Sequence, residues 1–322
     1  MRTRFLRLLA ALLAFTLFAA ACGDDGGTDT DTDTATGDGT GAADATGDDQ
    51  ACEPTDELPD LDGREVSVAV ENAYLPFNYI DAETGEPAGW DYAAIDHMAE
   101  LLNFEPVYET FAWEPMIQAV ADGQFDMAAD GITINDERAE VVDFSDGYIN
   151  IEQRLLVGVG EDRFADADEL ANDDSLTIGS QTGTTNYDTA VDLVGEERVQ
   201  AFEQFGFAVQ ALIAGDVDAV IMDESAGQGY VGENADDVEL TGPSLSSDEL
   251  GFIFPPGSDL VCPINLAIAD MKADGTMEAL GEEYFSGAFT ITDDDIAEVD
   301  AVGADPVEEE PEADPAGDDT EG

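Results

Sequence analysis

Apolar positions along this chain fall into short blocks with two alternating periods. Val66–Val70 is an almost continuous apolar stretch, the pattern of a buried strand. Over 92–103, Ile95, Met98, Ala99 and Leu102 recur at spacings of three, four and seven, which predicts a helix with one inward face. A second helix is predicted over 113–121, stopped by Gly123, and a short strand over 125–129. Farther on, 176–179 reads as a strand. Phe205, Val209, Leu212 and Ile213 mark a helix face ending at Gly215, and 217–222 is again a strand. One more strand is expected at 251–255. Leu260, Ile264, Ala267, Ile268 and Met271 then line a helix, and 277–285 forms the last one. Alternating strand and helix signals predict an α/β protein whose parallel sheets are covered by helices.

One unit occurs twice. Gly123-Gln-Phe-Asp-Met-Ala-Ala-Asp130 and Gly215-Asp-Val-Asp-Ala-Val-Ile-Met-Asp223 both run from a helix stop through an Asp and a strand to a terminal acid. Ligands of open α/β sheets bind beyond the carboxyl ends of the strands. Two similar lobes facing each other therefore predict a cleft with Asp130 and Asp223 on opposite walls. The late helices have no strands of their own, so they are expected to return to the first lobe. The chain would then cross between lobes near 150–156 and 248–254, and two such strands make a hinge. The expected organisation is lobe 1 over 63–150 and 249–288, with lobe 2 over 151–248.

Charge changes the picture at both ends. The chain has 322 residues, with 76 Asp and Glu against nine Lys and Arg, a formal charge of −67. Fourteen acids lie in 23–62 and fourteen in 291–322, with no base in either stretch, so both read as unfolded. The middle still carries 48 acids against Arg64, Arg138, Arg154, Arg163, Arg198 and Lys272. Such a balance excludes nucleic-acid binding, which needs cationic side chains to displace counterions. It fits a protein built for a salty medium, where the Debye length falls to about 3 Å. Hydrophobic residues still make up 43% of the chain, enough for a sizeable core.

The first residues read as an export signal over 1–21: Arg2, Arg4 and Arg7, an apolar run too short to span a membrane, then small residues. The alanines followed at once by Cys22 resemble the lipobox of bacterial lipoproteins. Cys22 is therefore the expected lipidation site, and 22–62 a charged leash from the membrane surface. Cys52 and Cys262 remain as an even pair, a candidate disulfide in an exported protein. The tail over 289–322 is expected to be an acidic, unstructured end.

Gly131-Ile-Thr-Ile-Asn-Asp-Glu-Arg138 and Val142-Asp-Phe-Ser-Asp-Gly-Tyr148 resemble motifs of the polar amino-acid-binding proteins of ABC importers, solute-binding family 3. Gly89-Trp-Asp-Tyr92, Ser180–Thr185, Val217–Asp223 and Gly251–Ser258 match in the family's order, and the likeness spans roughly 63–288. It implies a two-lobed periplasmic-binding-protein fold, each lobe a helix-covered sheet, joined by a two-strand hinge. A free amino acid presents a carboxylate and an ammonium. Arg138 offers a planar fork for the first, and the resemblance assigns Asp223 to the second. Gly131 and Thr133 would serve the carboxylate end, with Thr184 and Thr185 at a predicted helix start adding donors. Thr at such a start is also a natural cap. Tyr74 and Trp113 are implied as aromatic walls. Glu71 and Asp130 would face the ligand side chain, favouring a cationic or amide group, and Gln181 leaves glutamine against arginine or lysine open.

The resemblance implies an exported monomer that captures a small molecule by closing and then docks on a membrane permease. Neither a cofactor nor a metal is expected: no Asp-x-Asp-x-Asp-Gly loop with a distal Glu occurs. An enzyme of the same fold, such as a dehydratase, is one alternative. The one histidine, His97, falls on a helix surface, and no Ser–His–Asp set can be assembled. A zwitterionic compatible solute of the ectoine kind is another alternative, since it would suit the same carboxylate clamp.

Overall fold

A computed structural model describes residues 57–285. The chain enters through β1 (Arg64–Val70) and builds a small antiparallel sheet from β2 (Ala73–Tyr74), β3 (Asn78–Ile80) and β4 (Pro87–Ala88). α1 (Trp90–Leu102) buries Ile95, Met98, Ala99 and Leu102, the face its spacing predicts. Asn103, in the left-handed region at φ 53°, ends the helix and turns the chain into β5 (Phe104–Thr110). α2 (Trp113–Ala121), β6 (Met127–Ala128), α3 (Asp136–Ala139) and β7 (Asp143–Phe144) follow.

β8 (Ile149–Gly158) carries the chain into the second lobe. There α4 (Ala167–Ala171), β9 (Ile178–Gln181), α5 (Thr185–Val194), β10 (Val199–Phe202), α6 (Phe205–Ala214), β11 (Ala219–Asp223) and α7 (Glu224–Glu233) alternate. β12 (Val238–Leu250) runs back to β13 (Ile253–Phe254), α8 (Val261–Asp274) and α9 (Thr276–Tyr284). The two late helices pack on α1, in the first lobe.

Each lobe has a five-stranded sheet, in the orders β5-β1-β6-β13-β7 and β10-β9-β11-β8-β12. β1 is parallel to β5 and β6, and β9 to β10 and β11, as helical crossovers require. β8 and β12 form the link between lobes. They pair antiparallel from Ile149↔Leu250 to Gln153↔Ser246, lose register between Thr241 and Ser246, and resume at Leu155↔Thr241. A break of this kind bends the strand pair, here opposite Gln153–Leu155, where β8 also pairs with β11 of the second lobe.

Several predicted boundaries move. The strands expected at 125–129 and 251–255 shorten to Met127–Ala128 and Ile253–Phe254, which meet each other through a single pair, Ala128↔Ile253. Those expected at 176–179 and 217–222 slide forward to end on Gln181 and Asp223. On α6 the buried face is Phe205, Ala208, Val209, Ala211 and Leu212, while Ile213 is exposed. The small residues Ala208 and Ala211 let the helix sit close to the sheet, which turns Ile213 outward. Cys262 is disulfide-bonded. Its expected partner Cys52 lies outside the described residues, as do Cys22, most of the leash and the acidic tail. The leash expected over 22–62 stops short of its predicted end: Leu58 and Leu61 pack on the core, Leu61 N–H donates to the Leu102 carbonyl at 2.7 Å and Asn103 Nδ2 to Asp60 at 2.6 Å, because apolar side chains in this stretch find a surface to cover. Among the described residues no helix is long and apolar enough to cross a membrane.

Candidate functional site

A cavity with about 310 Å³ of empty space, part of it open to solvent, lies between the lobes. Its lining includes Glu71, Tyr74, Trp113, Asp130, Gly131, Thr133, Arg138, Gln181, Thr184, Thr185 and Asp223, every cleft residue that the sequence nominates. The topology explains the convergence. Glu71 follows β1, Asp130 follows β6, and Gln181 and Asp223 end β9 and β11, so all four sit at carboxyl ends of parallel strands. Trp113 opens α2, and Thr184 and Thr185 open α5.

Arg138 is held by its own short helix. The Asn135 side chain caps α3 by accepting from the Arg138 backbone N–H at 2.8 Å. The guanidinium donates to the Thr133 carbonyl at 3.1 Å and to the Gly183 carbonyl at 3.4 Å. Its central carbon lies 5.3 Å from the centre of the Trp113 ring, within cation–π range. Burial lowers its pKa, so the charge is costly there. Arg64, Arg154, Arg163 and Arg198 all pair with carboxylates, but among the described residues Arg138 pairs with none. In a protein so rich in acids, an arginine buried with no ion pair among the described residues is unusual.

Asp223 faces it as the opposite pole. Its carboxylate accepts from the Tyr74 hydroxyl and, at 3.2 Å, from Asn186 Nδ2. Burial raises its pKa to about 6, against the lowering effect of these two donors. Tyr74 belongs to the first lobe and Asp223 to the second, so this bond spans the cleft. Three more contacts do the same: Arg138 to Gly183, Gln181 Nε2 to Glu71 Oε1 at 3.0 Å, and Thr133 against Thr185 at 3.4 Å. Aromatic stacking adds a fifth, with the Tyr74 ring 5.1 Å from Phe77 below it and 5.7 Å from Phe205 of the other lobe.

Gly131 lets Tyr74 take this position. Its φ is +56°, and a Cβ there would stand 2.6 Å from Tyr74 Cε1. Thr184 has a narrower role than its sequence position suggests. Its hydroxyl accepts from Tyr187 N–H as the cap of α5 and donates to the Gln181 carbonyl, and its own carbonyl accepts from Asp188 N–H, which leaves its backbone N–H as the donor that can meet a ligand.

The other end of the cavity is acidic. Glu71 and Asp130 are both buried, and Asn78 Nδ2 donates to Asp130 at 2.6 Å and to the fully buried Asp91 at 2.9 Å. Burial first, and then the nearby Asp130 charge, push Glu71 well above the usual carboxylate range. Burial lifts Asp130 to about 7. Sequence reasoning missed Asn78, Asn186 and Phe205. Asn186 lies in the first turn of α5, beside the nominated threonines, where polar side chains commonly reach a helix-start site. Phe205 counted only as one residue of a core face, and nothing local marks Asn78.

Two sheets, a two-strand crossing and a polar cavity between them define a two-lobed solute-binding protein. Residues 66–287 match the profile of the bacterial extracellular solute-binding proteins, family 3, and the chain belongs to that family. The L-cystine-binding protein TcyJ of Escherichia coli is 28% identical over 225 residues, covering 69% of this chain and 83% of the relative. The crystallised arginine-, lysine-, histidine-binding protein ArtJ of Geobacillus stearothermophilus is similar in structure, with TM-score 0.64 and 29% identity. That match covers 69% of this chain and 95% of ArtJ. A third likeness is the ancestral amino acid-binding protein AncCDT-1, a precursor of cyclohexadienyl dehydratase. It has TM-score 0.64 and 28% identity, over 69% of this chain and 96% of that one.

Proposed function

We propose that this protein is the extracytoplasmic binding component of an ABC importer for a polar or cationic amino acid. One observation carries the reading: the cavity has a buried arginine without an acid partner at one pole and a buried aspartate at the other. An α-amino acid presents the complementary pair, so Arg138 would bind its carboxylate through a bidentate fork. Asp223 would accept its ammonium, with Tyr74 and Asn186 orienting the carboxylate. Thr133 and the backbone of Gly131 and Thr184 would complete the carboxylate end. Proteins similar to this chain are named for cystine, for arginine, lysine and histidine, and for glutamate, all of them amino acids.

The mechanism is capture by closure. A ligand touching Arg138 and Thr133 from one lobe and Asp223 and Thr185 from the other makes both sets of contacts only when the lobes meet. Binding therefore shifts the population toward the closed form, which the permease would recognise. β8 and β12 would carry the rotation. We take the protein to bind rather than transform its ligand, to act as a monomer and to need no cofactor. Cys22 would hold it to the outer face of the membrane through lipid, with the part of 22–62 that precedes residue 57 as leash. Residues 63–150 and 249–288 would move as one lobe and 151–248 as the other.

A thermal-unfolding screen against arginine, lysine, histidine, glutamine, cystine and glutamate tests the reading. At least one should raise the midpoint, and Asp223→Asn should weaken that ligand. No shift with any of them sinks it.

A further inference from the structure

Glu71, Asp91 and Asp130 form a buried acidic group around Asn78, and its charge has no visible counterweight. The three side chains are 5%, 0% and 3% exposed. Glu71 receives Gln181 Nε2 on both oxygens, at 3.0 and 3.2 Å, and the Trp113 backbone N–H. Asp130 receives Asn78 Nδ2 and the Glu71 backbone N–H. Asp91 receives Asn78 Nδ2 on one oxygen, while its Oδ1 has no partner. Among the described residues no Arg, Lys or His makes an ion pair with any of them, and no metal-binding cluster is formed. The other titratable groups around them, Tyr74, Tyr92, Tyr148 and Asp223, are phenols or another acid and supply no positive charge. Arg138 lies at the other pole of the cavity, against Thr133, Gly183 and the Trp113 ring, and makes no ion pair with any of the three acids.

Three ionised carboxylates cannot share such a site without a cation, since an isolated buried charge neutralises itself before it tolerates low dielectric. Asp91 lies behind the cavity wall, and its partnerless oxygen fits a neutral acid. Glu71 and Asp130 line the cavity itself, where either a proton or a ligand can reach them. We propose that Glu71 and Asp130 together hold one proton when the cleft contains no cation, and release it to solvent when a positively charged amino-acid side chain takes its place. The pair titrates as a unit, so the proton belongs to both carboxyls. A cationic ligand replaces one positive charge by another, whereas a neutral amide leaves the proton where it is. The acidic end would then select by exchange: there arginine and lysine displace a proton and glutamine does not, so their binding has a pH dependence beyond the one that Asp223 gives to every amino acid.

The ligand half of this proposal rests on the amino-acid reading above; the proton half does not. Calorimetric titration at about pH 6 in buffers of different ionisation enthalpy counts protons released per ligand bound. Every amino acid should release the fraction of a proton that Asp223 gives up to its ammonium. Arginine or lysine should release about one proton more than glutamine, and their affinity relative to glutamine should gain up to about tenfold per pH unit until the pair is ionised. Glu71→Gln and Asp130→Asn, both near-isosteric, should each reduce the release. Binding of arginine with no more proton release than glutamine, or of glutamine alone, overturns the exchange while leaving the amino-acid reading intact. If none of the three binds, the ligand half falls, while the amino-acid reading falls only if histidine, cystine and glutamate fail as well. Infrared difference spectra of the protein without added ligand decide the proton half separately. A protonated-carboxyl C=O band at about pH 6 that either substitution diminishes supports it, and its absence refutes it.

Discussion

Substituting Arg138 by methionine separates binding from folding in one residue. The side chain fills similar space but removes the charge and the planar fork. In the protein itself the guanidinium makes one good hydrogen bond, 3.1 Å to Thr133, and one long one, 3.4 Å to Gly183. Together these are worth about 1–2 kcal/mol. Their loss is offset by no longer burying a charge whose pKa the interior already lowers. Thermal unfolding without ligand should therefore change little. Binding should change a great deal, because the fork is the counter-charge of the amino-acid carboxylate. Truncating one partner of such a buried pair costs about 2–5 kcal/mol, or roughly thirtyfold to several thousandfold in Kd. Arg138→Lys keeps the charge and loses the bidentate geometry, so it should fall between. Isothermal calorimetry with the amino acid that binds the wild type gives Kd, and melting curves give the folding control. A well-folded R138M protein with Kd within about threefold of wild type would refute the carboxylate assignment.

Other outcomes follow from the same geometry. Gly131→Ala places a Cβ at 2.6 Å from the Tyr74 ring at a φ of +56°, so Tyr74 must leave Asp223. We expect a destabilisation of about 1–3 kcal/mol and at least tenfold weaker binding; unchanged calorimetry would contradict it. The ligand-free protein should become less stable as pH rises, because Asp223 and Asp130 have folded pKa values of about 6 and about 7, above their unfolded values. Stability from these groups is full below the unfolded carboxylate range, near pH 4, and is lost as pH passes upward through the folded values. Asp130→Asn should flatten that decline in melting temperature. The charge of −67 predicts a melting temperature that rises as sodium chloride is raised toward about 1 M. A temperature independent of salt would remove the case for a salt-adapted surface.

The repeat ending in Asp130 and Asp223 made both poles of the cleft legible, because a strand's end is written locally in a helix stop, a short apolar run and an acid. The motif around Arg138 was equally legible, since its cap and its guanidinium lie within one short helix. β-strand limits were less so: a strand stops where its partner stops, and β6 meets β13, more than a hundred positions away, through the single pair Ala128↔Ile253. Thr184 shows the ambiguity of local signals, for a helix-start threonine can cap or donate, and here its hydroxyl caps.

By itself, then, the sequence determined the α/β alternation, the paired lobes, the excess of negative charge and the residues that would meet at the cleft. These depend on periodicity, composition and short motifs. Only the tertiary structure decided that Arg138 alone among the arginines of the described residues lacks an acid partner. It alone joined Tyr74 to Asp223 and Gln181 to Glu71 across the lobes, and gathered Glu71, Asp91 and Asp130 around Asn78. Partners 110 and 149 positions apart leave no trace in local pattern, because burial and pairing are set by which strand ends the sheets bring together. A count of charges is a property of the chain, but what each charge faces is a property of the fold.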